Sequence, residues 1–577
     1  MMNFTEKANF IWSVADLLRG DFKQSEYGKV ILPFTVLRRF DCVLAPSKAK
    51  ILEMNKTLTV SNKTPVFKRF TGHDYYNVSE YDFAKLMDDS NAIETNLRDY
   101  INGFSDDVKE ILDNFEIGSV IDRLKKSNLL YLIVQKFNEI DLRDDTVDNL
   151  EMGYMFEELI RRFSEQSNET AGEHFTPREV IELMVDLLFD PDMDEMTKDG
   201  KVITVYDPAC GTGGMLSVAQ NKMVATNTKT TVVPFGQELN PETYATCKSD
   251  MILKNNTGSK IVLGNSFSED GFKYRDDGSK YTFDYMLSNP PFGVEWKKVE
   301  KVIKDEAESQ GYNGRFGAGT PRISDGSLLF LQHMISKMTP KDKGGSRIGI
   351  VFNGSPLFTG DAGSGESEIR KWIIENDLLE AIIALPDQLF YNTGISTYIW
   401  ILTNRKADRR KGKIRLVNGV FYFERMRKNL GNKRNLISEQ NRTDIVRLYS
   451  MYEPHENYKD FDNADFGYSK ITMERPIYSA DGKIETDKKG NKKTDASLRD
   501  TETVPLKDNI QAYFKHEVLP HVPDAWIDES KTKIGYEIPF TRHFYKFTPL
   551  RSSEKIMAEI KALEAKIDKE LKEVLEG

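Results

Sequence analysis

Val202-Ile203-Thr204-Val205-Tyr206-Asp207-Pro208-Ala209-Cys210-Gly211-Thr212-Gly213-Gly214-Met215-Leu216 runs from a β-branched segment, through a carboxylate, into glycines and the apolar start of a helix. β-Branched and aromatic side chains favour a strand. Glycines in the following turn let backbone approach a ligand closely, and a helix start offers unpaired amides to a carboxylate or phosphate. A tight strand-to-helix connection without a ligand has the same letters. The decision therefore rests on the turns that follow.

From about residue 171 to 405, short apolar runs alternate with helical patterns, as in a parallel sheet covered by helices. The expected strands are 202–206, 231–235, 261–263, 283–287, 347–352, 379–385 and 397–402. Helices are expected near 215–224, 242–253, 328–338 and 368–375. The fold class is α/β, an open doubly wound sheet that takes ligands at the carboxyl ends of its strands. The second strand ends at Gly236-Gln237-Glu238-Leu239-Asn240-Pro241, where Glu238 suits the two hydroxyls of a ribose. The third ends at Gly264-Asn265-Ser266-Phe267, where an amide and a nearby aromatic suit the edge and face of an adenine. Three successive turns thus hold parts for a carboxylate, a ribose and a base.

The fourth strand ends at Ser288-Asn289-Pro290-Pro291-Phe292, the most specific signal in the chain. Consecutive prolines fix φ and restrain the residues before them, so the Asn289 side chain and the Pro290 carbonyl can be aimed at one point. Two acceptors on the hydrogens of a planar amino group, such as that of adenine, draw its nitrogen toward tetrahedral geometry and localise the lone pair. With a neutral leaving group on the methyl donor, alignment dominates, and about 7–11 kcal/mol is available from proximity and orientation. A base in a duplex must flip out to reach such a pocket, at a cost of a few kcal/mol. Stacking on Phe292, about 1–3 kcal/mol, and the two hydrogen bonds offset it. The alternative is a proline-rich exit from a strand.

The chain has 577 residues, enough for two or three domains. Lys and Arg number 80 against 90 Asp and Glu, so the net charge is −10, the wrong sign for DNA binding by bulk charge. A local basic groove or a partner subunit has to supply phosphate contacts. Charges at Glu6, Lys7, Asp16 and Arg19 interrupt the beginning, and no apolar run could cross a bilayer, so a cytoplasmic location is expected. Cys42, Cys210 and Cys247 have no metal-ligand spacing, and no metal is expected.

Residues 1–150 read as helical: Phe10, Val14, Leu17 and Leu18 share a face that Gly20 ends, and 30–40 looks buried. Residues 151–425 hold the sheet and 426–577 form an extension. Within it, 481–500 is an exposed loop or hairpin carrying Lys483, Lys488, Lys489, Lys492 and Lys493, either solvated or a phosphate-contacting arm. At the end, Ile556, Ile560, Leu563, Ile567, Leu571 and Val574 form a near-heptad seam on a helical tail, for its own domain or for a partner. Residues 360–367 have the glycine spacing of a phosphate loop, but Glu366 stands at the lysine position, which excludes an ATPase reading. His174 lies near the proposed pocket, where a lone histidine is more often structural.

With Gly172-Glu173-His174-Phe175-Thr176-Pro177-Arg178 ahead of the glycine-rich turn, the order of parts resembles the gamma arrangement of amino-group DNA methyltransferases. Ile11-Trp12, Ala15-Asp16, Leu18-Arg19-Gly20 and Glu26-Tyr27 resemble the modification subunit of type I restriction-modification systems. So do Leu385-Pro386, Leu389-Phe390 and Thr393-Gly394-Ile395. The resemblance implies a class I, Rossmann-like methyltransferase sheet that binds S-adenosylmethionine. It implies that Phe175, Thr176 and Pro177, with Asp207, Gly211 and Gly213, border the methionine end of the cofactor. Glu238 would hold the ribose and Asn265 would face the cofactor adenine, with Glu173, His174, Pro208, Thr212, Leu239 and Ser266 in the same cofactor-binding set. Asn289, Pro290, Pro291 and Phe292 would hold the target adenine.

Such subunits pair with a specificity subunit that reads DNA, usually two modification chains to one, and join an ATP-driven restriction subunit. Val351-Phe352-Asn353-Gly354-Ser355 departs from the family, which more often has Leu-Pro before Asn-Gly. The competing readings are a protein glutamine or RNA guanine methyltransferase and a catalytically silent sensor of modified DNA.

Overall fold

The computed structural model describes residues 4–166, 176–254, 258–390, 394–430, 432–545 and 552–576. The chain divides into two compact units, residues 1–538 and 539–577.

The first unit is built on a nine-stranded sheet. Its strands are β1 (Val202–Asp207), β2 (Thr231–Glu238), β3 (Lys260–Leu263), β4 (Tyr285–Ser288), β5 (Arg347–Asn353), β6 (Leu379–Ala384), β7 (Thr397–Thr403) and β8 (Lys413–Asn418), with β11 (Tyr458–Asp462) at one edge. A separate pair, β9 (Glu424–Leu430) and β10 (Lys433–Leu436), precedes β11 in the chain. The order is β3-β2-β1-β4-β5-β7-β6-β8-β11. Strands β1 to β5 are mutually parallel, while β7 runs antiparallel to both β5 and β6. The chain leaves β1 toward β3 and returns on its other side at β4, which opens a crevice at the carboxyl ends of β1 and β4.

All seven expected strands are present, with small shifts at their ends. The largest is at β2, which runs on to Glu238 rather than ending at Phe235, and β4 begins at Tyr285 rather than Phe283. Asp284 explains the late start of β4, because its carboxylate accepts from Thr204 N and Oγ, both 2.8 Å, where a ladder bond would otherwise form. One face of the sheet packs Val205, Leu287, Val351, Ile383, Ile399 and Ile401 against Val180, Leu183, Met184 and Leu187 of the helix Arg178–Phe189. Each fully buried side chain of this size contributes about 1.5–3 kcal/mol. The other face carries an aromatic group in which Tyr206 stacks on Phe283 at 4.4 Å and meets Phe272 edge-on.

The amino-terminal segment is helical and has its own core. Val14 and Leu18 are fully buried, Phe10 and Leu17 partly so, and Gly20 follows with φ +96°. The helix Tyr27–Thr57 buries Val30, Ile31, Phe34, Val36, Leu37 and Phe40. The helix Pro241–Leu253, which follows β2, serves both cores. Ala245 and Leu253 enter the amino-terminal core, whereas Cys247 and Met251 enter the sheet's core. On the same helix Tyr244 donates to Glu110 at 2.6 Å, and Lys248 pairs with Glu110 at 2.7 Å.

A small sheet of β12 (Gly467–Glu474), β13 (Asp500–Pro505), β14 (Trp526–Ile527) and β15 (Lys533–Tyr536) completes the first unit. It meets the rest through the helix Gly365–Glu375, where Arg370 Nε donates to Tyr536 O at 2.6 Å. The second unit contains the helix Ser553–Glu576. Ile556, Ile560, Leu563 and Ile567 of its expected seam are exposed. No described helix is long and apolar enough to cross a membrane.

Candidate functional site

At the end of β1, Asp207 is 2% exposed and its Oδ1 accepts from Ala209 N at 3.0 Å and Ser288 Oγ at 2.8 Å. Burial pushes its carboxyl up to about 7; the two hydrogen bonds act against that, and the Glu238 charge adds to it. The turn beyond needs glycine. Gly211 and Gly213 have φ +54° and +85°, and a Cβ on Gly213 would lie 2.7 Å from Cys247 Sγ. At Gly211 a Cβ would meet nothing within 4 Å, so the backbone there borders open space.

The next turn is tied to the first. Glu238 accepts from Gly211 N at 2.9 Å through one oxygen and from Asn240 N at 2.8 Å through the other. These bonds aim the carboxylate at the rim, where Leu239 is 64% exposed. In the third turn Ser266 Oγ donates to Pro208 O at 2.5 Å. Asn265 Oδ1 accepts from the amides of Phe267 and Ser268. Phe267 differs from expectation. Instead of facing a base it is buried with Trp296, Ile303, Phe316 and Leu329, because Arg315 draws the turn inward by donating to the carbonyls of Ser266 and Phe267.

The fourth turn joins the same place. Ser288 reaches Asp207, and Asn289 Nδ2 donates to Thr176 Oγ at 2.8 Å. That bond turns the Asn289 oxygen to the opposite side of its amide group. Pro177 and Pro290 are buried, and Phe292 is 8% exposed in the sheet's core. Thr176, Pro177, Asp207, Pro208, Gly211, Thr212, Gly213, Glu238, Asn265, Ser266 and Asn289 therefore belong to consecutive turns on one edge of the sheet or to the segment beside it. Glu173, His174 and Phe175 lie outside the described residues.

A small pocket is lined by Thr176, Thr212, Gly214, Ser217 and Asp250. Asp250 is 5% exposed, and its Oδ1, which is buried, has no hydrogen-bond partner among the described residues. Lys254 Nζ pairs with Asp250 Oδ2 at 2.5 Å and matches its charge, so the buried Asp207 carboxylate, the Glu238 carboxylate and the open glycine backbone are what fit a ligand with a cationic amino-acid end and a nucleoside end. Sequence reasoning missed Ser288, Arg315 and Asp250 as parts of this arrangement. Ser288 was legible as a hydroxyl beside Asn289, whereas Arg315 acts over 48 and 49 residues and left no local signal.

Comparison with known proteins points the same way. The family model for N-6 DNA Methylase matches residues 147–495, and that for the HsdM N-terminal domain matches 7–137. The type I restriction enzyme MjaIX methylase subunit of Methanocaldococcus jannaschii is 26% identical over 490 residues, 81% of this chain and 80% of that protein. The HindI methylase subunit of Haemophilus influenzae is 31% identical over 270 residues, 46% of this chain and 54% of that one. In fold, the chain is similar to the type I restriction-modification methyltransferase subunit of Streptococcus thermophilus. The TM-score is 0.62 at 21% identity, over 80% of this chain and 96% of that one.

Proposed function

The chain belongs to the N-6 DNA methylase family, and from that premise we propose that it is the modification subunit of a type I restriction-modification complex. It transfers a methyl group from S-adenosylmethionine to the exocyclic amino group of adenine in DNA. The observation that supports the site assignment is the pair of bonds from the fourth turn, Ser288 to Asp207 and Asn289 to Thr176, which tie the Asn-Pro-Pro-Phe turn to the end of β1 and to the segment beside it.

Asp207, Thr176, Pro177, Gly211, Thr212 and Gly213, with Pro208 behind them, hold the amino-acid end of the cofactor. Glu238 and Leu239 hold its ribose, and Asn265 and Ser266 shape the turn beside its adenine. S-adenosylmethionine supplies an electrophilic methyl group whose leaving group is a neutral thioether. Asn289 Oδ1 and the Pro290 carbonyl accept the two hydrogens of the target amino group, and Pro291 keeps that carbonyl rigid. Phe292, anchored in the sheet's core, holds the turn that receives the extruded base. Glu173, His174 and Phe175, which directly precede Thr176 in sequence, belong to the same cofactor-binding set.

The partners are DNA, a specificity subunit that reads the target sequence, and an ATP-driven restriction subunit, with two modification chains per specificity subunit. The exposed apolar residues of the helix Ser553–Glu576 serve that assembly. A protein glutamine or RNA guanine methyltransferase is not favoured, because the amino-terminal segment matches the HsdM N-terminal domain. Incubating the complex with methyl-labelled cofactor and either duplex DNA or protein tests the substrate. Label is expected in adenine of the DNA, and label in protein alone would overturn the reading.

A further inference from the structure

Between β12 and β13, residues 475–499 fold into an arm rather than a slack loop. Its backbone closes on itself through Ile477 N to Lys493 O (3.0 Å), Glu485 N to Ile477 O (2.9 Å) and Lys493 N to Glu485 O (2.9 Å). Asp487 builds the tip. Its carboxylate accepts from the amides of Lys489 at 2.8 Å and Asn491 at 2.9 Å, and from Asn491 Nδ2 at 3.1 Å, which holds it below the usual carboxylate range. The base is fastened to the body of the unit. Arg475 and Tyr478 both bond Asp524, and Lys492 Nζ lies 5.2 Å from the centre of the Trp526 ring.

From 480 onward nearly every residue of the arm is exposed, so no apolar core holds it together. What it displays is charge. Lys483, Lys488, Lys489, Lys492 and Lys493 face only Glu485 and Asp487 between positions 483 and 493, on a chain whose net charge is −10. Lys493 pairs with Glu485 at 2.9 Å. Lys483, Lys488 and Lys489 have no carboxylate within ion-pair distance among the described residues. An ordered, lysine-tipped arm has already given up the conformational entropy that a flexible loop would give up on docking.

Resting on the reading of DNA as the substrate, we propose that this arm lies along the phosphate backbone of the duplex. The acidic body repels a polyanion, and the arm provides the local cations that oppose this. β12 starts at Gly467, paired with Tyr536 whose amide meets Ser367 Oγ, and ends at Glu474 where the arm begins. Eight residues of strand span about 25 Å, so the arm begins about that far along the small sheet from its contact with the helix Gly365–Glu375. Phosphate contacts of this kind set position and affinity without reading sequence.

The test is K483Q/K488Q/K489Q in the assembled complex, with duplex binding measured against salt. All three positions are exposed, and K483R/K488R/K489R serves as the charge-retaining control. The Gln variant is expected to bind duplex at least tenfold more weakly at low salt. Its slope of log affinity against log salt should be shallower by about 0.9 for each phosphate that is no longer neutralised. Its kcat at saturating DNA and its cofactor affinity should match those of the unsubstituted complex, and the Arg variant should keep the original slope. An unchanged slope would overturn the proposal. So would failure of subunit assembly with the salt dependence intact, which would assign the arm to a protein partner. Absence of DNA methylation by the unsubstituted complex overturns the substrate reading and this proposal together.

Discussion

Ser288 Oγ donates a 2.8 Å hydrogen bond to Asp207 Oδ1, linking the last residue of β4 to the last residue of β1. These strands are neighbours in the sheet although 81 residues separate the two side chains. The bond ties the Asp207 carboxylate, proposed for the cofactor, to the Asn289 turn, proposed for the target base. Ser288→Ala removes one of two donors that favour ionised Asp207, so its carboxyl should rise further. Cofactor affinity near neutral pH should fall about tenfold, read by calorimetry, and an unaltered affinity would show the bond to be incidental.

Cofactor binding should depend on pH through Asp207. Its carboxyl stands at about 7 in the free protein, above the ordinary value of 3.8, chiefly because it is buried. A cationic ligand favours the ionised form, so binding strengthens as pH rises toward 7 and levels off above it. Below 7 the affinity should drop by up to about tenfold per pH unit. For the free fold the sign is reversed: the raised value gives stability that is full below about 3.8 and lost as pH rises through 7. Titration in buffers of different ionisation heat should detect a released proton, and Asp207→Asn should abolish the effect.

Asn289→Ala should lower kcat by about 10²-fold or more, as removal of an oriented polar group from the transition state does elsewhere. Cofactor affinity should stay within about twofold. Retained methylation would refute the role given to Asn289, and a matching fall in cofactor binding would reassign it to the pocket wall.

Glu380 is 2% exposed, where it pairs with Arg347 at 2.6 Å and accepts from Tyr449 at 2.7 Å. Glu380→Ala leaves a buried guanidinium short of a partner and should cost about 3–5 kcal/mol in chemical denaturation. Replacing both residues, as R347M/E380L, should cost less than the single change.

Truncation after Ser552 removes the helix Ser553–Glu576. Size-exclusion chromatography should show weakened assembly with the specificity subunit, while cofactor affinity is kept. An intact complex would show that the exposed seam serves something else.

The sheet was legible because its strands are continuous apolar runs, such as 348–352 and 398–402, bounded by polar turns. The turns at Asp207, Glu238 and Asn289 were legible because glycine and proline restrict backbone in ways that few other roles require. The small sheet of β12–β15 was not. Its strands alternate weakly and are held by ion pairs such as Arg499 and Lys531 on Glu474, which leave no periodic pattern. Phe267 misled because aromatic character does not tell which way a turn faces; the distant Arg315 decides that.

The helix Pro241–Leu253 begins three residues after Glu238 and has one side in each of two cores. Neither core is closed without it. The amino-terminal bundle and the catalytic sheet should therefore melt in a single transition, and a fragment trimmed to the sheet alone would expose Ala245 and Leu253 to water. A minimal catalytic version of this protein has to begin near its first helix.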